Sequence, residues 1–237
     1  MLRQPLSDKL TRLRLPGFRE GLQEQSENPH YAELTFEERL GIQVDLECTR
    51  RDNSSRDRRS KAARFALPAS IEDLDLSPVR GLDRGFILNL AHGEWISHHL
   101  NILVLGPTGA GKSYLACTLG KAACRQGFSV RYHRTSRILH EIMLSHADGS
   151  FPKFLASLAR VKLLILDDWL RDPLAVSQAR DLLEIIDDRY GRSSTLVATQ
   201  VPVEDWHARL PDPTLGDAIL DRLIHNAYRL ELRGESM

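Results

Sequence analysis

The stretch that decides the fold is NILVLGPTGAGKSYLACTLGKAACRQG, residues 101–127. It opens with an apolar run of strand length, "NILVLG", and closes with a segment of helical pattern that starts at Ser113. Between them lies "GPTGAGKS": Gly106, Pro107, Thr108, Gly109, Ala110, Gly111, Lys112 and Ser113. This fits G-x-x-x-x-G-K-[ST] at every position, between the strand and the helix that such a loop requires. The three glycines permit a tight turn whose backbone N–H groups point inward around an anion. The helix N-terminus adds its partial positive charge. Lys112 is placed to reach the β and γ phosphates of a nucleotide, and Ser113 to ligate Mg²⁺. A chance glycine-rich turn is the plain alternative, and the strand–loop–helix context argues against it. The expected ligands are therefore ATP, or another nucleoside triphosphate, and Mg²⁺.

Three more apolar runs have strand length: "FSVRYH" (residues 128–133), "VKLLILDD" (161–168) and "STLVAT" (194–199). Helical patterns separate them. Alternating strands and helices imply an α/β fold with a parallel central sheet covered on both faces. Ligands of such sheets bind at the carboxyl ends of the strands. Asp167 ends one strand there and is expected to hold Mg²⁺, mostly through water. Asp168 follows as a base or water-positioner for attack on the γ phosphate, with a helix cap or turn as its plainer role. Thr199 and Gln200 close another strand at the same edge. Either can hold the attacking water, and Thr199 is preferred.

Residues 1–66 read as a helical, charged N-terminal domain. Leu6, Leu10, Leu13, Phe18 and Leu22 keep helical spacing, interrupted near Pro16 and Gly17. "TFEE" (35–38) fits a capping box, in which Thr35 and Glu38 satisfy each other's amides. Residues 50–64 carry Arg50, Arg51, Arg56, Arg58, Arg59, Lys61 and Arg64 against Asp52 and Asp57, a local excess of five positive charges. Such a cluster suits nucleic-acid phosphates, though a solvated helix face remains possible. Aromatic residues barely interleave it, which favours duplex backbone contact over stacking on single strands. Residues 67–80 read as a linker, and residues 81–237 as the α/β domain.

Acidic and basic residues balance at 32 each, so net charge announces no polyanionic partner. Cys48, Cys117 and Cys124 form no CxxC pair, and Cys117 and Cys124 read as small core residues. No run approaches the ~20 apolar residues of a membrane span. A cytoplasmic protein without a membrane partner is expected. "DAILDRLIHNAYRLEL" (217–232) reads as an apolar helical segment, in which Arg222 alone would be a surface charge paired with Asp217 or Asp221.

Beyond the P-loop, the motifs "LRLPGFREGL", "LTFEERLG", "GLDRG", "LLILDDW", "DLLEIIDDRYGRSSTL" and "DPTLGDAILDRLIHNAYRLELRGESM" give the chain a family likeness. It resembles the IstB-like ATP-binding proteins, AAA+ helpers of bacterial insertion-sequence transposases and relatives of DnaC and DnaA. The resemblance covers essentially the whole chain. It implies a P-loop NTPase of AAA+ type without a full C-terminal lid domain. It further implies a DNA-dependent ATPase that assembles with ATP on duplex DNA, forms a homo-oligomer through ATP-bridged interfaces, and serves a cognate transposase. The family's arginine finger maps onto Arg222, acting in trans, and its sensor residue onto Thr199 and Gln200. Many relatives carry a glycine after "DDW", where this chain has Leu170. The alternative is a DnaC-like replicative helicase loader. A small-molecule kinase and a non-hydrolysing, nucleotide-gated DNA-binding module are further readings.

Overall fold

The computed structural model describes residues 4–234; the last three residues of "LRGESM" lie outside that range. The chain divides into two compact units, at Arg58 and Arg59.

The first unit holds α1 (Gln4–Arg12), α2 (Pro16–Glu27) and most of α3 (Phe36–Ala63). The capping box of α3 is complete: the Thr35 amide donates to Glu38 Oε2 at 2.8 Å, and the Glu38 amide donates to Thr35 Oγ1 at 3.2 Å. Those bonds hold the Glu38 carboxyl below its usual range. The buried Glu47 of α3 accepts from the Gly17 amide of α2 at 2.8 Å and from Arg51 Nε at 2.7 Å.

The sequence placed the end of the helical domain at residue 66, but the structure divides eight residues earlier. The reason is packing: Arg59 Nε donates to the Cys124 carbonyl, Ala63 is fully buried, and Phe65 lies against Gly120. Residues 67–80 carry little regular structure, yet Ala69, Leu74 and Leu76 join the core of the second unit.

That second unit continues through α4 (Arg84–His92), α5 (Glu94–Ser97), β1 (Asn101–Leu105), α6 (Lys112–Arg125) and β2 (Val130–Arg134). Then follow α7 (Thr135–Ala147), α8 (Phe151–Ala159), β3 (Leu163–Asp167), α9 (Val176–Arg189) and β4 (Ser194–Thr199). It closes with α10 (Trp206–Arg209), α11 (Pro213–Ile224) and β5 (Ala227–Glu231). The strands form one parallel sheet in the order β2-β3-β4-β1-β5.

Alternate strand residues feed opposite cores. Ile102, Val104, Ile165, Leu196 and Ala198 pack toward α4 and α6, while Leu103, Leu164, Leu166 and Val197 pack toward α7, α8, α9 and α11. Both faces are dry, which explains strands that read as unbroken apolar runs. Cys117 and Cys124 are buried in the first of these cores.

The stretch 217–232 is not one helix. It is helical to Ile224, turns at His225 and Asn226, and then forms the edge strand β5. From Ala227 the apolar residues alternate, and Leu230 and Leu232 are buried while Arg229 and Glu231 are exposed. Asn101 Nδ2 secures the turn by donating to the carbonyls of Arg222 and Leu223 and to Asn226 Oδ1.

At the amino ends of the strands lies a buried arginine with no carboxylate partner. Arg189 donates to the carbonyls of Leu158 and Val161 at 2.6 and 2.8 Å, to the Ser194 carbonyl, and to Thr195 Oγ1. Burial pulls its pKa down to about 9. Oriented carbonyl dipoles stand in for a counter-charge.

Candidate nucleotide site

The P-loop leaves β1 and enters α6 at the carboxyl edge of the sheet. Gly106 has φ 151°, and a Cβ there would stand 2.6 Å from the Leu232 carbonyl oxygen. Only glycine lets β5 and the loop approach so closely. Gly109 and Gly111 have φ 83° and 93°, and the left-handed Gly111 caps α6. Lys112 Nζ donates to the Pro107 carbonyl at 2.7 Å. Burial lowers its pKa, and the negative charges of Asp167 and Asp168 oppose that shift.

Because all strands are parallel, β3 and β4 deliver their ends to the same edge. A cleft of about 420 Å³ lies there. Thr108, Lys112, Ser113, Asp168, Arg171 and Gln200 line its polar side, and Leu67 and Tyr114 line it too. Gln200 Oε1 accepts from Thr108 Oγ1, so the end of β4 touches the P-loop directly.

Asp167, next to the lining residue Asp168, is buried, 1% exposed. Its Oδ1 accepts from the Asp168 amide at 2.9 Å, and its Oδ2 accepts from the Tyr132 hydroxyl at 2.6 Å. Thr135 Oγ1 donates to its carbonyl at 2.9 Å. Asp168 turns outward on a left-handed backbone, φ 54°, and Leu170 repeats that conformation at φ 51°. The Asp168 carboxylate faces two arginines: Arg171 Nη1 at 3.7 Å and Arg134 Nε at 4.0 Å.

Thr199 is buried, and its hydroxyl serves the protein interior. It donates to the Trp169 carbonyl at 2.6 Å and accepts from the Val201 amide at 3.0 Å. Its single proton is therefore committed to the loop after β3. Trp169 and Trp206 are fully buried, with ring centroids 6.0 Å apart.

Arg222 does not reach this cleft. Its carbonyl bonds to Asn101, the first residue of β1, whereas the P-loop follows the last. The strand between them spans about 13 Å at the usual rise per residue. Its partners are Asp187 Oδ1 at 2.5 Å and the Ala218 carbonyl at 2.9 Å. The expected pairing with Asp217 or Asp221 is not seen; Asp217 pairs with His207 instead.

The donor set suits magnesium carried by a nucleotide. Hydroxyl and carboxylate oxygens, from Ser113 and Asp167, are the hard ligands this ion prefers. Among the described residues no group of three or more His, Cys, Asp or Glu forms a metal cage. An ion here needs phosphate oxygens to complete its shell, which is the usual arrangement for Mg²⁺.

The basic segment spreads over α3 and beyond. Arg50 pairs with Glu20, Arg51 with Glu47, and Arg58 donates to Ser55. Arg59 is committed to Cys124 in the second unit. Arg56, Lys61 and Arg64 are exposed, with Arg64 at φ 58°. In the first unit Arg14, Arg50, Arg51 and Arg58 line a groove of about 340 Å³ with Ser54 and Ser55.

Sequence reading missed Arg14, Tyr132, Arg134, Thr135 and Arg171. Arg14 lies within "LRLPGFREGL" but was given no role there, and each of the five becomes notable only through what the fold places beside it.

Comparison with known proteins gives the family and the fold. The family model for IstB-like ATP binding protein matches residues 8–237. The insertion sequence ATP-binding protein y4pL of Sinorhizobium fredii is 42% identical over 237 residues, covering 100% of this chain and 97% of that one. Among solved structures, AMPPCP-bound DnaA from Aquifex aeolicus superposes with TM-score 0.61 at 16% identity, over 73% of this chain and 52% of that one. The DnaC helicase loader superposes with TM-score 0.56 at 20% identity, over 62% of this chain and 86% of that one. These two likenesses place the second unit in the AAA+ P-loop fold. No helix among the described residues is long and apolar enough to cross a membrane.

Proposed function

The chain belongs to the IstB-like ATP-binding protein family, and on that premise we propose that it is a DNA-dependent ATPase. It assembles with ATP on duplex DNA and directs a cognate insertion-sequence transposase. One observation supports the ATPase reading: the P-loop, Asp168 and Gln200 line one cleft, with Asp167 buried beside Asp168, while Arg222 lies at the far end of the sheet. An arginine so placed can meet a triphosphate only on another copy of the chain.

In this reading Lys112 leaves the Pro107 carbonyl for the β and γ phosphates. Ser113 and Asp167 hold magnesium, which spreads the phosphate charge when bound. Asp168 orients and deprotonates the attacking water. We assign the sensing role to Gln200, because Thr199 has its proton on the Trp169 carbonyl. Thr199 instead fixes the loop that carries Asp168. A neighbour's Arg222 stabilises charge on the transferring phosphoryl group; such fingers contribute about 10³- to 10⁵-fold where measured. The arginine groove of the first unit contacts duplex phosphates, with Arg56, Lys61 and Arg64 adding exposed charge.

The test is complementation between two inactive variants. Lys112→Ala abolishes nucleotide binding, and Arg222→Ala keeps binding but loses DNA-stimulated hydrolysis. Mixed, they regain activity, because one supplies an intact site and the other an intact finger. A mixture that forms joint complexes on duplex DNA yet stays inactive overturns the in-trans assignment, and wild-type-like turnover of Arg222→Ala alone removes Arg222 from the mechanism. Stimulation by single strands rather than duplex, with capture of a hexameric helicase, would instead mark a helicase loader.

A further inference from the structure

Strand β2 lies at the edge of the sheet and runs parallel to β3, with Tyr132 opposite Ile165 and Arg134 opposite Asp167. The β2–α7 junction thereby surrounds the paired carboxylates with three side chains. Tyr132 takes one carboxylate oxygen of Asp167, Thr135 takes its carbonyl, and Arg134 approaches Asp168. The Asp168 amide takes the other carboxylate oxygen.

The hydroxyl bond is short, at 2.6 Å, within the range of charge-assisted O–H···O contacts. Tyr132 is 6% exposed. A phenolic hydroxyl donates, and a carboxylate oxygen can only accept, which fixes the direction of this bond. The nearby Arg134 guanidinium faces Asp168 instead, at 4.0 Å.

A carboxylate offers about four lone-pair directions. Here the chain fills one on each oxygen, which leaves the others for water or metal. With no bond to Oδ2, the carboxylate plane would be free to turn about its terminal torsion, which has only broad, two-fold preferences.

We propose that Tyr132 is a positioning residue for magnesium–nucleotide binding, setting the plane of the Asp167 carboxylate through its hydroxyl. This rests on the nucleotide-site reading above. Outer-shell partners of metal-binding carboxylates are a recognised class, and losing one typically costs about 10- to 100-fold in metal affinity or activity.

Tyr132→Phe keeps the ring and removes only the oxygen. Binding of a fluorescent ATP analogue should be unchanged in EDTA, while the Mg²⁺ concentration that half-saturates the metal-dependent signal rises about ten-fold or more. In an Asp167→Asn background the same change should add nothing, since its effect passes through that carboxylate. An equal loss of binding with and without Mg²⁺ means that the hydroxyl only holds the fold, and overturns the proposal. So does an unchanged Mg²⁺ requirement. Lys112→Ala, run in parallel, separates this failure from that of the site itself: loss of binding there with no Mg²⁺ shift in Tyr132→Phe sinks only the role of Tyr132. If Tyr132→Phe melts below the parent, both titrations are run at a temperature where the variant is folded, and the same outcomes decide.

Discussion

Asp168 and Leu170 hold left-handed backbones one residue apart, and the two pay differently for it. Aspartate adopts this region with some ease, because its short polar side chain bonds locally. Leucine does not, at a cost of about 1–2 kcal/mol. Leu170 is nevertheless fully buried, and removing such a side chain costs about 2–5 kcal/mol. Burial outweighs strain. Leu170→Gly should therefore lower stability by about 1–3 kcal/mol in urea denaturation, although it relieves the backbone; a more stable variant would mean that strain dominates. Family likeness pointed to position 170 as a departure from glycine, but the φ that makes glycine fit there was not legible in the sequence. The P-loop was legible because its eight positions encode one backbone shape. The preference for Thr199 as sensor rested on its place at a strand end; the carbonyl to which its proton goes was not legible.

Elements carry information that single residues do not. Strand β5 escaped notice because its alternating residues follow a true helix without a proline or glycine break, and helical and strand periods overlap across the junction. Tyr132 escaped because a tyrosine in a strand is ordinary; only the pairing of β2 with β3 brings it to Asp167. The helices α9 and α11 give Arg222 its partner, Asp187, again by packing alone. That ion pair is partly exposed, with side-chain exposures of 27% and 55%, so it contributes little, about 0.2–1 kcal/mol. For a finger that must leave it to act, the same energy adds to the barrier. Asp187→Ala should raise DNA-stimulated ATP turnover about two- to five-fold, the rate equivalent of the upper half of that range, with the melting temperature little changed. A ten-fold fall would show that Asp187 aims the guanidinium instead.

For the whole molecule, alternating strands and helices announced a parallel sheet, but not the strand order that lays β1 between β4 and β5. Order depends on contacts distant in sequence, and no motif in the chain encodes it. The basic segment was legible as charge but not as a surface: Arg59 turns inward, and the unforeseen Arg14 joins the groove of the first unit. Duplex binding through that groove should show counterion release. Replacing Arg14 and Arg58 with glutamine should reduce the slope of log K against log salt by about 1.8, close to 0.9 per lost phosphate contact. It should do so equally for unrelated sequences, as filter binding across a salt series would report.

If Arg222 acts on a neighbour as proposed, its separation from its own P-loop also sets a rule of counting. A subunit with donor and acceptor at opposite ends associates head to tail, not through a two-fold axis, and such contacts generate either closed rings or open helical filaments. In an open array one terminal site lacks a neighbour, so specific turnover climbs with array length and levels off. In a ring it does not. Activity per subunit, measured against the number of subunits assembled, thus reads out whether the array is closed.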